Sequence, residues 1–346
     1  MKKILLVGYN PRMLGGIESF SRTFKNKLYP QTHFLCEYDV ANAAFEVGDV
    51  HGVLKHNLFI RIINRLTNGL LLEFFIRYFL YTNKYDIYIL NTPKYLPFVP
   101  LEKTILIQHT SINNWWESKY KFNKNKKLLE LARKVRKIIA LTEKDKAEMC
   151  ERFNIEAITV NVIPIPSPLQ IRPTIKPAGR NIVMITRFQN SIKRIDLAIN
   201  AMKHLPDFQL NIYGDGPDRK MLEDLASDCK NVSIHNAITS VQEVLDSNNI
   251  FVLTSEFEGF PVGLIEAISR GLPLVVRNSF NAATEIVVGN GVLINRTWDT
   301  DEFVSAVNYC YENYEYLSNQ SAVMYAEFSI ETVRSLWECT FDEEGF

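Results

Sequence analysis

Residues 249–276 read NIFVLTSEFEGFPVGLIEAISRGLPLVV, and the fold can be read outward from them. Ile250–Thr254 is a continuous apolar run, as a strand covered on both faces requires. Ser255–Phe260 reads as a loop. Pro261 suits the first helical position, where a missing N–H costs nothing. The helix is expected to run to Arg270, with Gly271 at its C′ position. Leu272–Val276 is the next strand, so the stretch makes one parallel βαβ unit.

The same unit recurs along the chain. Strands are expected at Lys3–Val7, Ile87–Leu90, Thr104–Gln108, Lys137–Leu141 and Thr159–Ile163. The pattern then restarts at Asn181–Thr186, Gln209–Tyr213, Val232–His235, Ile250–Thr254, Leu272–Val276 and Val292–Ile294. Between the two series lies PIPSPLQIRPTIKPAGR, residues 164–180, whose five prolines predict a stiff, extended linker. The expected fold is therefore α/β, with two Rossmann-like, doubly wound parallel-sheet domains facing a cleft. The boundaries are 1–165 and 166–327, with a final helix over about 328–346 free to pack back on the first domain.

The 346 residues suffice for two such cores. Formal net charge is zero but uneven: residues 1–170 hold 25 Lys and Arg against 15 Asp and Glu, the remainder 14 against 24. A basic half and an acidic half are expected to meet different partners. Five scattered cysteines without a C-x-x-C pair argue for reduced thiols and against a zinc site. MKKILLVGYN reads as a first strand rather than a signal peptide.

Leu58–Leu80 is apolar, but Arg61, Arg65, Glu73 and Arg77 interrupt it, so it does not span a membrane. It reads as a buried helix on a sheet, with a helix at a bilayer surface as the alternative. In NNWWESKYKFNKNKKLLELARKVRK (113–137), Trp115, Trp116, Tyr120 and Phe122 among lysines suggest an anionic membrane surface. Nothing else supports a nucleic-acid groove. Asp299–Asp301, a D-x-D string before a helical pattern, reads as an N-cap rather than a metal site.

The loop before the helix at Val262 has the form of a phosphate seat, since a helix start offers unpaired N–H groups and a positive dipole end. Glu258 and Glu266 flank it. A carboxylate is acceptor-only and can hold two neighbouring hydroxyls. Two sugars on either side of a diphosphate would use both acids. Arg187 and Lys193, at another strand end, would supply the cations a diphosphate needs.

With these residues in place, the chain resembles glycosyltransferase family 4, the retaining GT-B enzymes. Glu258-x7-Glu266 with Arg187 and Lys193 upstream carries the likeness, joined by GYNPRMLGGIESF, IYGDGP and VIPIPSP. Ile165 departs from the asparagine frequent in that linker. The resemblance implies metal-independent sugar transfer from a nucleotide-sugar, most readily a UDP-sugar, with no cofactor. It implies that Glu266 holds the ribose and Glu258 the donor sugar, with Gly259, Phe260 and Pro261 beside them. Arg187 and Lys193 would hold the diphosphate, Gly15 and Gly16 would approach the phosphates, and His109 would lie near the donor sugar. The basic first half points to a lipid-linked glycan acceptor, as in bacterial surface polysaccharide (O-antigen or capsule) assembly. The enzyme would then sit in the cytoplasm, peripheral on the inner membrane face. A soluble enzyme on a small sugar or sugar phosphate, and a non-catalytic nucleotide-sugar-binding protein, are the alternatives.

Overall fold

The structure, a computed structural model, describes residues 2–39, 43–172 and 178–342. Two compact units divide the chain: Met1–Pro166 with Val333–Phe346, and Ser167–Thr332.

The first unit runs β1 (Ile4–Gly8), α1 (Gly16–Thr23), β2 (Thr32–Asp39), β3 (Val50–Lys55), α2 (Leu58–Leu66), α3 (Leu70–Thr82), β4 (Ile87–Leu90), β5 (Thr104–Ile107), α4 (Lys126–Arg133), β6 (Lys137–Ala140), α5 (Glu143–Phe153) and β7 (Val160–Val162). Its seven strands lie in the order β3-β2-β1-β4-β5-β6-β7. All pair in parallel, with Ile4 opposite both Thr32 and Ile87. Every residue of β1, β4, β5 and β6 is buried, which is why these strands read as unbroken apolar runs.

The second unit runs β8 (Asn181–Ile185), α6 (Asn190–Lys193), α7 (Ile195–Ala201), β9 (Gln209–Tyr213), α8 (Arg219–Ala226), β10 (Val232–His235), α9 (Val241–Ser247), β11 (Ile250–Leu253), α10 (Val262–Ser269), β12 (Leu274–Arg277), α11 (Ala283–Ile286), β13 (Gly291–Ile294), α12 (Thr300–Glu312) and α13 (Tyr314–Met324). Its order, β10-β9-β8-β11-β12-β13, repeats the first unit's central plan, again wholly parallel. In each sheet the strand order reverses at one place: between β1 and β4, and between β8 and β11. Loops at the carboxyl ends of the strands flanking such a reversal form the natural ligand crevice of a doubly wound sheet.

The last helix, α14 (Ile330–Asp342), packs within the first unit, Trp337 edge-on to Phe24 at 5.2 Å and Phe341 against Tyr29 at 5.2 Å. Asp299 caps α12, accepting from the N–H groups of Asp301 and Glu302, so the D-x-D string is a helix start.

Several expectations are corrected. β2 and β3 were not expected. The proline-rich segment reads as a linker, yet Ser167 is fully buried and donates to the Phe328 carbonyl at 2.9 Å, while Arg172 N donates to Ser269 at 2.8 Å. Residues 173–177 of that segment lie outside the described residues. Leu58–Leu80 is two helices, because Asn68 and Gly69 take positive φ (49° and 86°) and turn the chain. Nor is it mostly buried: no residue of α2 is. Conversely, the aromatics of 113–122 are not surface anchors. Trp115 and Phe122 are each 1% exposed, in a cluster with Phe153 at ring distances of 5.3–6.2 Å. Trp116 stacks on Phe153 at 5.6 Å, and Tyr120 is taken by a 2.6 Å hydrogen bond from Thr92. Burying these rings removes large apolar areas from water, which outweighs their leaving an otherwise basic segment.

Candidate functional site

The second unit's reversal point lies between β8 and β11. The loop after β8 carries Arg187 and leads into the single turn α6, which ends at Lys193. The loop after β11 runs from Thr254 to Pro261 and carries Glu258. Both loops lie at carboxyl ends of parallel strands.

Lys193 Nζ lies 2.6 Å from Glu258 Oε1, and the Ser255 hydroxyl donates to the same oxygen at 2.6 Å. The pair is largely withdrawn from solvent, the side chains 20% and 12% exposed. Lys193 does not open the following helix, as the sequence suggested. It closes α6, because Arg194 takes a left-handed φ of 46° and its N–H returns to the Asn190 carbonyl at 2.9 Å. Thr254 clamps this turn to β11, donating to the Lys193 and Arg194 carbonyls at 3.1 and 2.9 Å.

Arg187 is exposed, and among the described residues its side chain makes no hydrogen bond or ion pair. Its backbone is fixed by the Gly214–Gly216 turn after β9. Thr186 N–H donates to Tyr213 at 3.0 Å and Phe188 N–H to Asp215 at 2.9 Å. A Cβ on Gly214 would meet the Thr186 oxygen at 1.9 Å, and one on Gly216 the Phe188 oxygen at 2.3 Å. Those glycines therefore let two loops touch and hold Arg187 in place.

Helix α10 starts at Val262, with Pro261 as N-cap rather than first residue. No cap side chain bonds its first N–H groups. Glu266 is half-buried on this helix between buried Ile265 and Ala267. Gly259 is half-buried and Phe260 is 8% exposed, its ring 6.2 Å from Phe328. Gly271 has φ 72°, as a helix-ending C′ glycine does.

Four bracing residues were missed by sequence reasoning: Thr254, Ser255, Glu256 and Arg277. Buried Arg277 donates to Glu256 at 2.8 Å and to the Arg296 carbonyl at 2.7 Å. Glu256 N–H donates to the Ile192 carbonyl at 2.7 Å. The loop is thus tied to β12 on one side and α6 on the other. A buried arginine at a strand end was the one available signal.

In the first unit, Gly15 caps α1 and Gly16 begins it. A Cβ on Gly15 would lie 2.1 Å from Glu18 Oε2, so a carboxylate sits beside the expected phosphate approach and an anion there would have to displace it. No atom lies within 4 Å of the place a Cβ on Gly16 would take. His109 follows β5, and its Nε2 lies 2.8 Å from Asn91 Oδ1. Asn91 Nδ2 donates to Ser21, so its oxygen faces the ring and Nε2 carries the proton. His109 Nδ1 is buried and without a hydrogen-bond partner among the described residues. Burial lowers the imidazole pKa to about 3, so the ring is neutral at physiological pH. Near the same strand ends, Lys119 donates to Tyr9 at 2.5 Å and Tyr95 to Glu37 at 3.1 Å, a polar group that sequence reasoning did not single out. No cluster of three or more metal-ligating side chains occurs among the described residues.

The second unit thus brings exposed Arg187, a partly buried acid–base pair and a helix start without a side-chain cap to the carboxyl ends of its strands, where a doubly wound sheet has its ligand crevice. Residues 170–325, inside the second unit, match the family model described as glycosyl transferases group 1. An uncharacterized glycosyltransferase of Haemophilus influenzae is 28% identical over 219 residues, 58% of this chain and 60% of that protein. The O-antigen biosynthesis glycosyltransferase WbnH of Escherichia coli is 22% identical over 201 residues, 58% of each. The chain thus spans about three-fifths of the length of these curated relatives. Among solved structures, HepE of Anabaena with UDP and glucose superposes with a TM-score of 0.78 at 16% identity, over 99% of this chain and 100% of that one. The lipopolysaccharide outer core galactosyltransferase WaaB gives 0.70 at 17%, over 99% of each. At these identities the likeness is one of fold, and the fold is GT-B.

Proposed function

We propose that this chain is a retaining, family 4-type glycosyltransferase that moves a sugar from a nucleotide-sugar, most readily a UDP-sugar, to a glycan acceptor. The observation that carries the reading is the Lys193–Glu258 pair set beside unpaired Arg187 at the second unit's reversal point. Without donor, each member neutralises the other. A nucleotide diphosphate would draw the ammonium to itself and release the carboxylate to accept sugar hydroxyls, with Ser255 keeping Glu258 aimed. Glu266 would take the ribose diol, with Gly259, Phe260 and Pro261 lining the donor.

In the transfer, the anomeric carbon leaves the diphosphate oxygen and bonds to the acceptor oxygen. Charge grows on the departing phosphate, where Arg187 and Lys193 offset it. The acceptor's proton passes to that phosphate, so no side-chain base and no metal is required.

The acceptor in this reading is a lipid-linked glycan of bacterial surface polysaccharide assembly, met at the cytoplasmic face of the membrane. Relatives named for O-antigen and lipopolysaccharide synthesis support that choice. The test is incubation with labelled UDP-sugars and lipid-linked oligosaccharides in EDTA, with the product's anomeric configuration read by NMR. A product of donor configuration supports the reading. Inversion, a metal requirement, or donor binding without turnover on any acceptor would refute the corresponding part.

A further inference from the structure

The first unit carries an apolar surface that the sugar-transfer reading does not use. Leu58, Ile62 and Leu66 recur every fourth residue on α2, and all are exposed, Leu66 by 77%. Leu70, Phe74 and Tyr78 repeat this spacing on α3, and Tyr81, 77% exposed, continues it. The opposite side of α3 holds Leu72, Ile76 and Leu80 in the core. So α3 is apolar on two faces, one covered and one bare. A helix lying on a sheet needs only one such face.

The hairpin is built to hold this surface out. Asn57 caps α2 by accepting from the Ile60 N–H at 2.8 Å, and Asn64 Oδ1 accepts from the Leu72 N–H at 3.1 Å, tying one helix to the next. Arg61 and Arg65 each precede a stripe residue and border the apolar face, as Arg77 does on α3. From Lys55 to Lys84 the chain carries five exposed cations and one acid, Glu73, which is paired to Arg77 at 2.8 Å.

Beside α3 opens a groove of about 710 Å³, lined by Tyr78, Tyr81, Phe98, Arg77, Lys84 and Lys103, with Glu102 as its acid. The Arg77 guanidinium lies 4.9 Å from the Phe98 ring centre and the Lys84 ammonium 5.3 Å from that of Tyr81. The groove lies by the residues preceding β4 and β5, whereas His109 follows β5. It therefore lies toward the amino-terminal ends of these strands, away from the carboxyl-end loop that carries His109.

We infer that the α2–α3 hairpin docks in the interfacial layer of an anionic lipid bilayer, with the apolar stripes among the acyl chains and lipid phosphates on Arg61, Arg65 and the groove cations. Charge decides the occupant. Self-pairing through this face would bring its five cations against five more, which disfavours a second copy. An anionic bilayer supplies both the apolar phase and the counter-charge, and aromatic side chains settle at its boundary. No helix among the described residues is long and apolar enough to cross a membrane, so this contact lies on the surface.

The test is co-sedimentation of the full chain with vesicles of phosphatidylcholine, with and without phosphatidylglycerol, at low and high salt and without donor. The sugar-transfer reading is therefore not involved. Binding is expected to the anionic vesicles and to weaken with salt. The triple variant Leu58→Ser/Phe59→Ser/Leu66→Ser should bind at least about ten-fold more weakly while staying folded, because these side chains, Phe59 beside the stripe included, are 71–77% exposed and contribute little to the fold. Arg61→Ala/Arg65→Ala should bind more weakly and respond less to salt, and Ile158→Ser, exposed elsewhere on this unit, should bind as the parent does. Circular dichroism checks that each variant is folded. The inference is overturned if the parent ignores anionic vesicles at low salt or if the triple variant binds equally well. It is also overturned if the stripe instead supports a dimer that the triple variant abolishes.

Discussion

Lys193 Nζ stands 2.6 Å from Glu258 Oε1, although 65 residues separate the two in sequence. The carboxylate has a second partner, the Ser255 hydroxyl, on the same oxygen. Partly buried pairs held this way are unevenly sensitive to losing one member, since the survivor keeps its charge without its partner.

Lys193→Ala should therefore cost about 1–2 kcal/mol of stability, leaving Glu258 with Ser255 alone. Glu258→Gln should cost less, because the amide oxygen can still accept from Lys193 or Ser255. Urea unfolding of both single variants and the double variant measures the coupling, expected at about 1 kcal/mol. Additive effects would mean the two side chains do not interact in solution.

Gly214→Ala should lose about 2–3 kcal/mol, because its Cβ would lie 1.9 Å from a backbone oxygen that cannot yield cheaply. The same change pushes on Thr186 and so on Arg187. Nucleotide affinity should fall along with stability. Gly16→Ala, where no atom lies within 4 Å, should leave stability within about 0.5 kcal/mol. Thermal unfolding compares the two.

His109 sets an acid limit. Its folded pKa is lowered to about 3 by burial, below the ordinary histidine value near 6.5. Below pH 6.5 the unfolded chain takes up this proton and the folded one does not. Its contribution to stability is thus full above pH 6.5 and is lost as pH falls toward 3, at about 1.4 kcal/mol per pH unit. His109→Asn should flatten the stability profile between pH 6 and pH 4 by about that slope. An unchanged profile would show that the imidazole titrates normally.

Arg277 ties Glu256 to the Arg296 carbonyl from a buried position, an arrangement that needs the guanidinium fork. Arg277→Lys should lose about 1–3 kcal/mol by leaving one acceptor unsatisfied. Its effect on donor binding should be weaker than that of Arg187→Ala, since Arg277 only braces the loop. Isothermal titration with UDP separates the two.

The doubly wound plan was legible because buried parallel strands must be continuously apolar. Gln209–Tyr213 and Val232–His235 begin and end where the alternation placed them. β2 and β3 escaped because they lie toward the sheet edge and mix His33, Glu37 and His51 among their apolar residues. Gly52 lies within β3, where a Cβ would strike Asp39 N at 2.3 Å. Leu58–Leu80 shows the limit of periodicity: an apolar stripe gives a helix face but not what covers it. Strand ends placed Arg187 and Glu258 in the loops after β8 and β11, where the structure has them. The pairing of Glu258 with Lys193 and the bracing by Thr254 and Arg277 arise from tertiary packing, which spacing along the chain does not encode.

Nucleotide binding by the second unit is measured by thermal unfolding of the full chain in EDTA with UDP, GDP, ADP and their sugar conjugates, beside Arg187→Ala and Glu266→Ala. One nucleotide, UDP first, should add about 2.7 kcal/mol at a hundred times its dissociation constant, and both variants should weaken the effect. No stabilisation by any nucleotide, or equal stabilisation of parent and variants, would contradict a nucleotide-sugar site between β8 and β11.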